Sequence, residues 1–158
     1  MMWWTVEEAK PEHIPAIAAN MRPVDVREVW ASHRHRPAEA LTFSLGMSVL
    51  AWTCSVDGIP VFMWGVCRVG SLMSPIGAPW LLGTPAIAHR RIVPEFLRQC
   101  PAYTEQMQAR FPRLENYVHR DNVLSIRWLR WLGFTIETAD PVLKNLEPFY
   151  LFWREHEC

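Results

Sequence analysis

The sequence predicts one α/β domain, residues 1 to 158, with a mixed central sheet and helices on both faces. Three observations carry this expectation. Strand-like and helix-like apolar periods alternate along nearly the whole chain, as a layered sheet-and-helix architecture requires. Two apolar runs, LAWTCSV and IPVFMWGV, flank Asp57-Gly58, a dipeptide suited to the tight turn of an antiparallel hairpin. The stretch NVLSIRWLRWLGF, from Asn122 to Phe134, reads as a capped helix between the strand-like LENYVH and FTIETA. A length of 158 residues buries a substantial core and is too short for two domains.

The elements follow in order. Trp3 to Glu8 reads as a first strand, and Pro11 opens the helix PEHIPAIAANM, with Ile14, Ile17 and Ala18 on one face. VDVREVWASH, from Val24 to His33, places Val26, Val29 and Trp30 at helical spacing, and the run His33-Arg34-His35-Arg36 closes it. PAEALTFSLGMS is a further short helix, weakened at its end by Gly46, and strand character begins near Val49. After the hairpin, GSLMSPIGAP reads as a loop and PWLLGTPA as a strand. Pro94 suits the first turn of the next helix, while Pro101 is expected to kink it or split it into VPEFLRQ and AYTEQMQARF. Asn122 caps the helix after LENYVH, Ile126 and Leu129 mark its apolar stripe, and Gly133 supplies its left-handed stop. FTIETA and PFYLFW complete the strands, with a break at Asp140-Pro141.

Sixteen basic and sixteen acidic side chains cancel, so no long-range attraction to nucleic acid or anionic membrane is expected. Fourteen of the basic residues are Arg, which stacks on aromatics and forms bidentate ion pairs, and only Lys10 and Lys144 are Lys. Nine Trp suggest either a Trp-rich core or an aromatic interface. Cys54, Cys67, Cys100 and Cys158 form no CxxC pair and have no His at ligand spacing, so reduced thiols are expected and a zinc site is not. Neither a secretory leader nor an apolar run long enough to span a membrane is present, which places the expected chain in a cytoplasm.

The order of elements and the window from Asn122 to Gly133 and Phe134 resemble the GNAT acyltransferase fold, in which an Asn opens a helix that closes in Gly-Phe. With HRRIVPEFLRQC and LENYVHRDNVLSIRWLRWLGF taken together, the chain more narrowly resembles the small GNAT-like internal virion proteins of short-tailed phages. The first resemblance implies acetyl-CoA as cofactor, and the second implies a host cytoplasm or a virion as location.

Two departures from the enzyme pattern stand beside the match. GNAT enzymes hold pyrophosphate on a glycine-rich strand-to-helix loop, whose N–H groups and helix start approach the phosphates. Here Arg90-Arg91-Ile92-Val93-Pro94-Glu95 stands instead, with Val and Glu at the small-residue positions and a proline that lacks an N–H. Leu129 occupies the position where many such enzymes carry a Tyr that protonates the leaving thiolate, and leucine donates no proton. The resulting expectation is a degenerate acyl-CoA site, no catalytic residue, no bound cofactor, and a role in virion assembly. A divergent N-acyltransferase that uses acetyl-CoA is the alternative.

Candidate residues each have a plain reading as well. Arg90 and Arg91, beside His89, could grip phosphate or merely form a solvated helix entrance. Asn122 could contact cofactor or serve only as a cap, and His119 could act as a base or be a strand-end hydrogen-bonding group. Arg127 and Arg130 share one helix face and Leu124, Trp128 and Trp131 another, which suits either internal packing or a partner interface. The expected partners are other virion proteins or a second copy of the chain. No GxSxG, HExxH or P-loop motif is present.

Overall fold

A computed structural model describes residues 3 to 156. Seven strands form one sheet in the order β1-β2-β3-β4-β5-β7-β6. They are β1 (Trp4–Glu8), β2 (Ser48–Val56), β3 (Ile59–Arg68), β4 (Ile76–Gly83), β5 (Arg113–His119), β6 (Thr135–Lys144) and β7 (Glu147–Glu155). All neighbours run antiparallel except β4 and β5, which are parallel and joined by a helical crossover. The helices are α1 (Ile14–Ala19), α2 (Pro23–His33), α3 (Pro37–Met47), α4 (Val93–Arg110) and α5 (Val123–Trp131). Pro23, Pro37 and Pro94 each stand in a first helical turn, where a missing N–H costs no helical bond.

Alternation along β3 divides the core. Phe62, Trp64 and Val66 face α4 and α5 with Phe96, Phe111 and Phe152, while Met63 faces α1 and α3 with Ile17, Leu41 and Leu82. The mixed sheet with helices on both faces is therefore as the sequence predicts. Of the tryptophans, Trp4 and Trp64 are buried, whereas Trp30 and Trp131 are about half exposed, at 48% and 55%. The aromatic excess thus serves core and surface together. Asp57 and Gly58, at φ 49° and 80°, form the expected hairpin turn. Among the described residues, Cys54, Cys67 and Cys100 are free thiols, and Cys158 lies outside them. No described helix is long and apolar enough to cross a membrane.

Several boundaries differ from expectation. The first helix begins as a 3-10 turn at Pro11–His13 before α1. Strand β4 starts at Ile76 within the predicted loop and ends at Gly83, after which Pro85–Ala88 form a 3-10 turn. Pro101 does not split α4, which runs unbroken for 18 residues. Pro101 lies on the exposed side, so the Leu97 carbonyl that it deprives of a donor is on that outer side, while Phe96, Cys100 and Met107 anchor the inner face. Asp140-Pro141 is not a break either: β6 continues through it with a register shift between Glu137 and Val142. Proline is tolerable there because β6 is the outermost strand, with one side unpaired. The chain instead reverses at Asn145-Leu146, both at positive φ, a two-residue turn without the glycine that usually signals it.

Candidate functional site in the sheet splay

The parallel pair at the middle of the sheet is joined at one end only. β4 and β5 pair at Ile76 with Arg113 and Gly77 with Leu114, and then diverge. Gly77 is required at this junction, since a Cβ there would stand 2.5 Å from the Phe111 ring. Two residues on, Pro79 has no N–H to offer a partner strand, and its carbonyl accepts from the Asn116 side chain of β5 at 2.9 Å. That side-chain bridge replaces the backbone ladder where the strands part.

A cavity of about 240 Å³ occupies the gap. Toward α4 and α5 its wall is aromatic, with Trp64, Phe96, Tyr103 and Trp128. Trp64 meets Phe96 and Tyr103 edge-on at centroid distances of 5.5 and 5.2 Å, and Phe96 lies 5.1 Å from Trp128, so the wall is a packed unit. Toward α2 the lining turns polar, with Glu28, Ser32, His33 and Lys144.

Helix α2 is stitched over the gap by its own side chains. Asp25, fully buried, accepts the Gly83 N–H at 3.0 Å and pairs with Arg22 at 2.7 Å, tying the start of α2 to the end of β4. Burial raises the Asp25 carboxyl, with Arg22 opposing. One turn on, Glu28 Oε1 accepts from the His119 backbone N–H at 3.0 Å and from Asn122 Nδ2 at 2.9 Å. Desolvation pushes the Glu28 carboxyl up to about 7, with the Asp25 charge adding to the rise and the Asn122 and His119 bonds opposing it. Glu28 therefore exchanges a proton near neutrality while facing a cavity, a combination suited to acid–base work.

His119 has a different role. Its ring is fully buried against Phe149, and Nδ1 accepts the Asp121 N–H at 3.0 Å, which leaves the neutral ring's proton on Nε2. Nε2 lies 3.5 Å from Glu147 with no hydrogen-bonded partner among the described residues. The imidazole shapes the β5 end, and its backbone N–H, not its ring, reaches Glu28.

Comparison of the sequence with protein-family models and with curated proteins gives no match. Solved structures do match over the whole fold. A GCN5-related N-acetyltransferase from Kribbella flavida aligns at TM-score 0.68 and 13% identity, covering 98% of both chains. A putative acetyltransferase from Salmonella typhimurium, solved with its cofactor acetyl-CoA, aligns at 0.66 and 11% identity over 98% of this chain and 94% of that one. The PaiA N-acetyltransferase from Thermoplasma acidophilum, in complex with coenzyme A, aligns at 0.62 and 13% identity over 98% and 100%. The chain has the GNAT fold.

The resemblance to GNAT enzymes places a pyrophosphate cradle at the crossover from β4 to α4, and here several of its N–H donors already have protein acceptors. Thr84 N–H bonds Val61, Ile87 bonds Thr84, His89 bonds Ala86, and Ile92 and Val93 both bond the His89 carbonyl. Arg91 N–H goes to His89 Nδ1 at 3.2 Å, and Pro85 and Pro94 have no N–H at all. Buried Ile87 and Ile92 hold the segment against the core. A phosphate would have to displace these bonds one for one. Arg90 and Arg91 are exposed and line no part of the cavity; the Arg91 guanidinium stacks on Trp3 at 4.5 Å, and Glu95 pairs with Arg98.

The α5 candidates separate. Asn122 is buried and does two things: its Oδ1 caps α5 by accepting from Ser125 at 3.3 Å, and its Nδ2 holds Glu28. Trp128 turns inward on Phe96 and Leu129 also lines the cavity, whereas Arg127, Arg130 and Trp131 are exposed. Glu28, Lys144 and Asn116 escape the sequence reading. Only the polar spacing of Asp25, Glu28 and Ser32 along α2 hints at the first, and nothing local marks the other two.

Proposed function

We propose that this GNAT-fold chain acts as an interaction or assembly protein that does not draw acyl groups from acetyl-CoA, and that its setting is a phage particle assembled in the host cytoplasm. The observation that carries the first half is the β4–α4 crossover, where the N–H groups of Ile87, His89, Arg91, Ile92 and Val93 are bonded within the segment and two prolines have no N–H to donate. The virion setting rests on the resemblance of LENYVHRDNVLSIRWLRWLGF and HRRIVPEFLRQC to internal virion proteins of short-tailed phages. Arg127, Arg130 and Trp131 on the exposed side of α5 supply the residue types of a binding hot spot for another virion protein or a second copy. Calorimetric titration with acetyl-CoA and with free CoA tests the reading: no heat of binding at millimolar ligand is expected, and saturable one-to-one binding in the micromolar range would overturn it.

A divergent N-acyltransferase is the second reading, and Glu28 favours it. A carboxyl pushed to about 7 at the polar end of the splay could take a proton from an attacking amine, and acetyltransferases share the fold. Proximity of amine and thioester would then supply most of the rate, since Leu129 cannot act as an acid.

A further inference from the structure

The charged and amide side chains around the cavity have protein partners with one exception. Glu28 is held by His119 and Asn122, Asn116 by the Pro79 carbonyl, and His33 Nδ1 stands 3.0 Å from Ser32 Oγ. Lys144 forms no ion pair and no hydrogen bond among the described residues; its Nζ lies 4.1 Å from the centre of the Tyr117 ring and 5.6 Å from that of Phe149. The carboxylate opposite Lys144 across the hairpin, Glu147, is already forked by Arg27 through Oε1 and Oε2. Burial alone lowers the Lys144 ammonium from its ordinary range, as expected for a cation without a counter-charge. Its position is nonetheless fixed, because the next residue, Asn145, is clamped to α2 through the Ala31 carbonyl and Arg34.

We propose that the cavity between β4 and β5 binds a small monocarboxylic acid, with its carboxylate on Lys144 and its apolar body against Trp64, Phe96 and Trp128. The size is suitable: an apolar cavity of about 150 Å³ accepts benzene, so about 240 Å³ accepts a ring or chain with a short carboxylate arm. One lysine matches one negative charge. A dianion such as phosphate would carry a second negative charge that Lys144 does not match, beside the Glu28 carboxyl. The proposal rests on the cavity and Lys144 and does not depend on the assembly reading.

Calorimetric and tryptophan-fluorescence titrations at pH 7.5 with 4-phenylbutyrate and octanoate, beside 4-phenylbutyramide and octanamide, test this. Saturable one-to-one binding of an acid at least tenfold tighter than its amide is expected, with phenylbutyrate ahead for an aromatic ligand and octanoate ahead for a fatty one. Lys144→Met should remove that tenfold preference while leaving amide binding and the thermal midpoint in place, and Lys144→Arg should retain most of it. Equal affinity for acid and amide, an unchanged preference in Lys144→Met, or no saturable binding by any of the four at millimolar concentration would overturn the proposal.

Discussion

Replacing Glu28 by Gln isolates a buried carboxyl in the splay that changes charge near neutral pH. Gln keeps the side-chain carbonyl that accepts from His119 and Asn122, so the variant removes ionisation and little else. The carboxyl rises from 4.5 to about 7 on folding. Because the folded form holds its proton more tightly than the unfolded chain, Glu28 costs nothing below the unfolded value and progressively destabilises as pH climbs through the window from 4.5 to 7. At about 1.4 kcal/mol per pH unit the full effect is about 3 kcal/mol, an upper bound reached above pH 7. Urea unfolding of wild type and Glu28→Gln at pH 4.5, 6 and 8 reads it directly. The variant should match wild type at pH 4.5 and exceed it by up to about 3 kcal/mol at pH 8. A stability difference that stays flat across this range would show that burial does not hold the proton on Glu28.

Two further substitutions test the packing and the surface. Asp25→Asn strands the Arg22 guanidinium without its charge partner in a buried position, and urea unfolding should show a loss of about 3 kcal/mol. Trp128→Ala opens the aromatic wall beside Phe96 and should cost about 2 kcal/mol, whereas Trp131→Ala, on the exposed side, should stay within about 0.5 kcal/mol of wild type yet weaken self-association or partner binding, read by sedimentation velocity and pull-down against virion proteins.

Local signals in the sequence were enough for the sheet and most helices, because prolines in first turns, Asp57-Gly58 and the Asn122 to Gly133 helix each act through their own backbone. Where tertiary packing overrides local preference, the reading fails. Pro101 stays in one helix because its inner face is anchored, and Pro141 stays in a strand because β6 lies at the edge. Asn145-Leu146 turns without a glycine, so its position was not legible. The weakness of the crossover as a phosphate cradle could be read from Val93, Pro94 and Glu95, but the 3-10 turn and the bonding of its N–H groups to Thr84, Ala86 and His89 could not. Glu28 was hidden for a different reason: its partners, His119 and Asn122, stand about ninety residues away, and only the folded chain brings them together.

Amide hydrogen exchange across residues 84 to 95, with and without 1 mM acetyl-CoA, tests most directly whether the crossover can serve as a pyrophosphate cradle. The N–H groups of Ile87, His89, Ile92 and Val93 should be protected in the free protein and unchanged by the cofactor, because each already has its acceptor. Rapid exchange in the free protein that becomes protected only when acetyl-CoA is added would contradict the closed crossover and restore the acyltransferase reading.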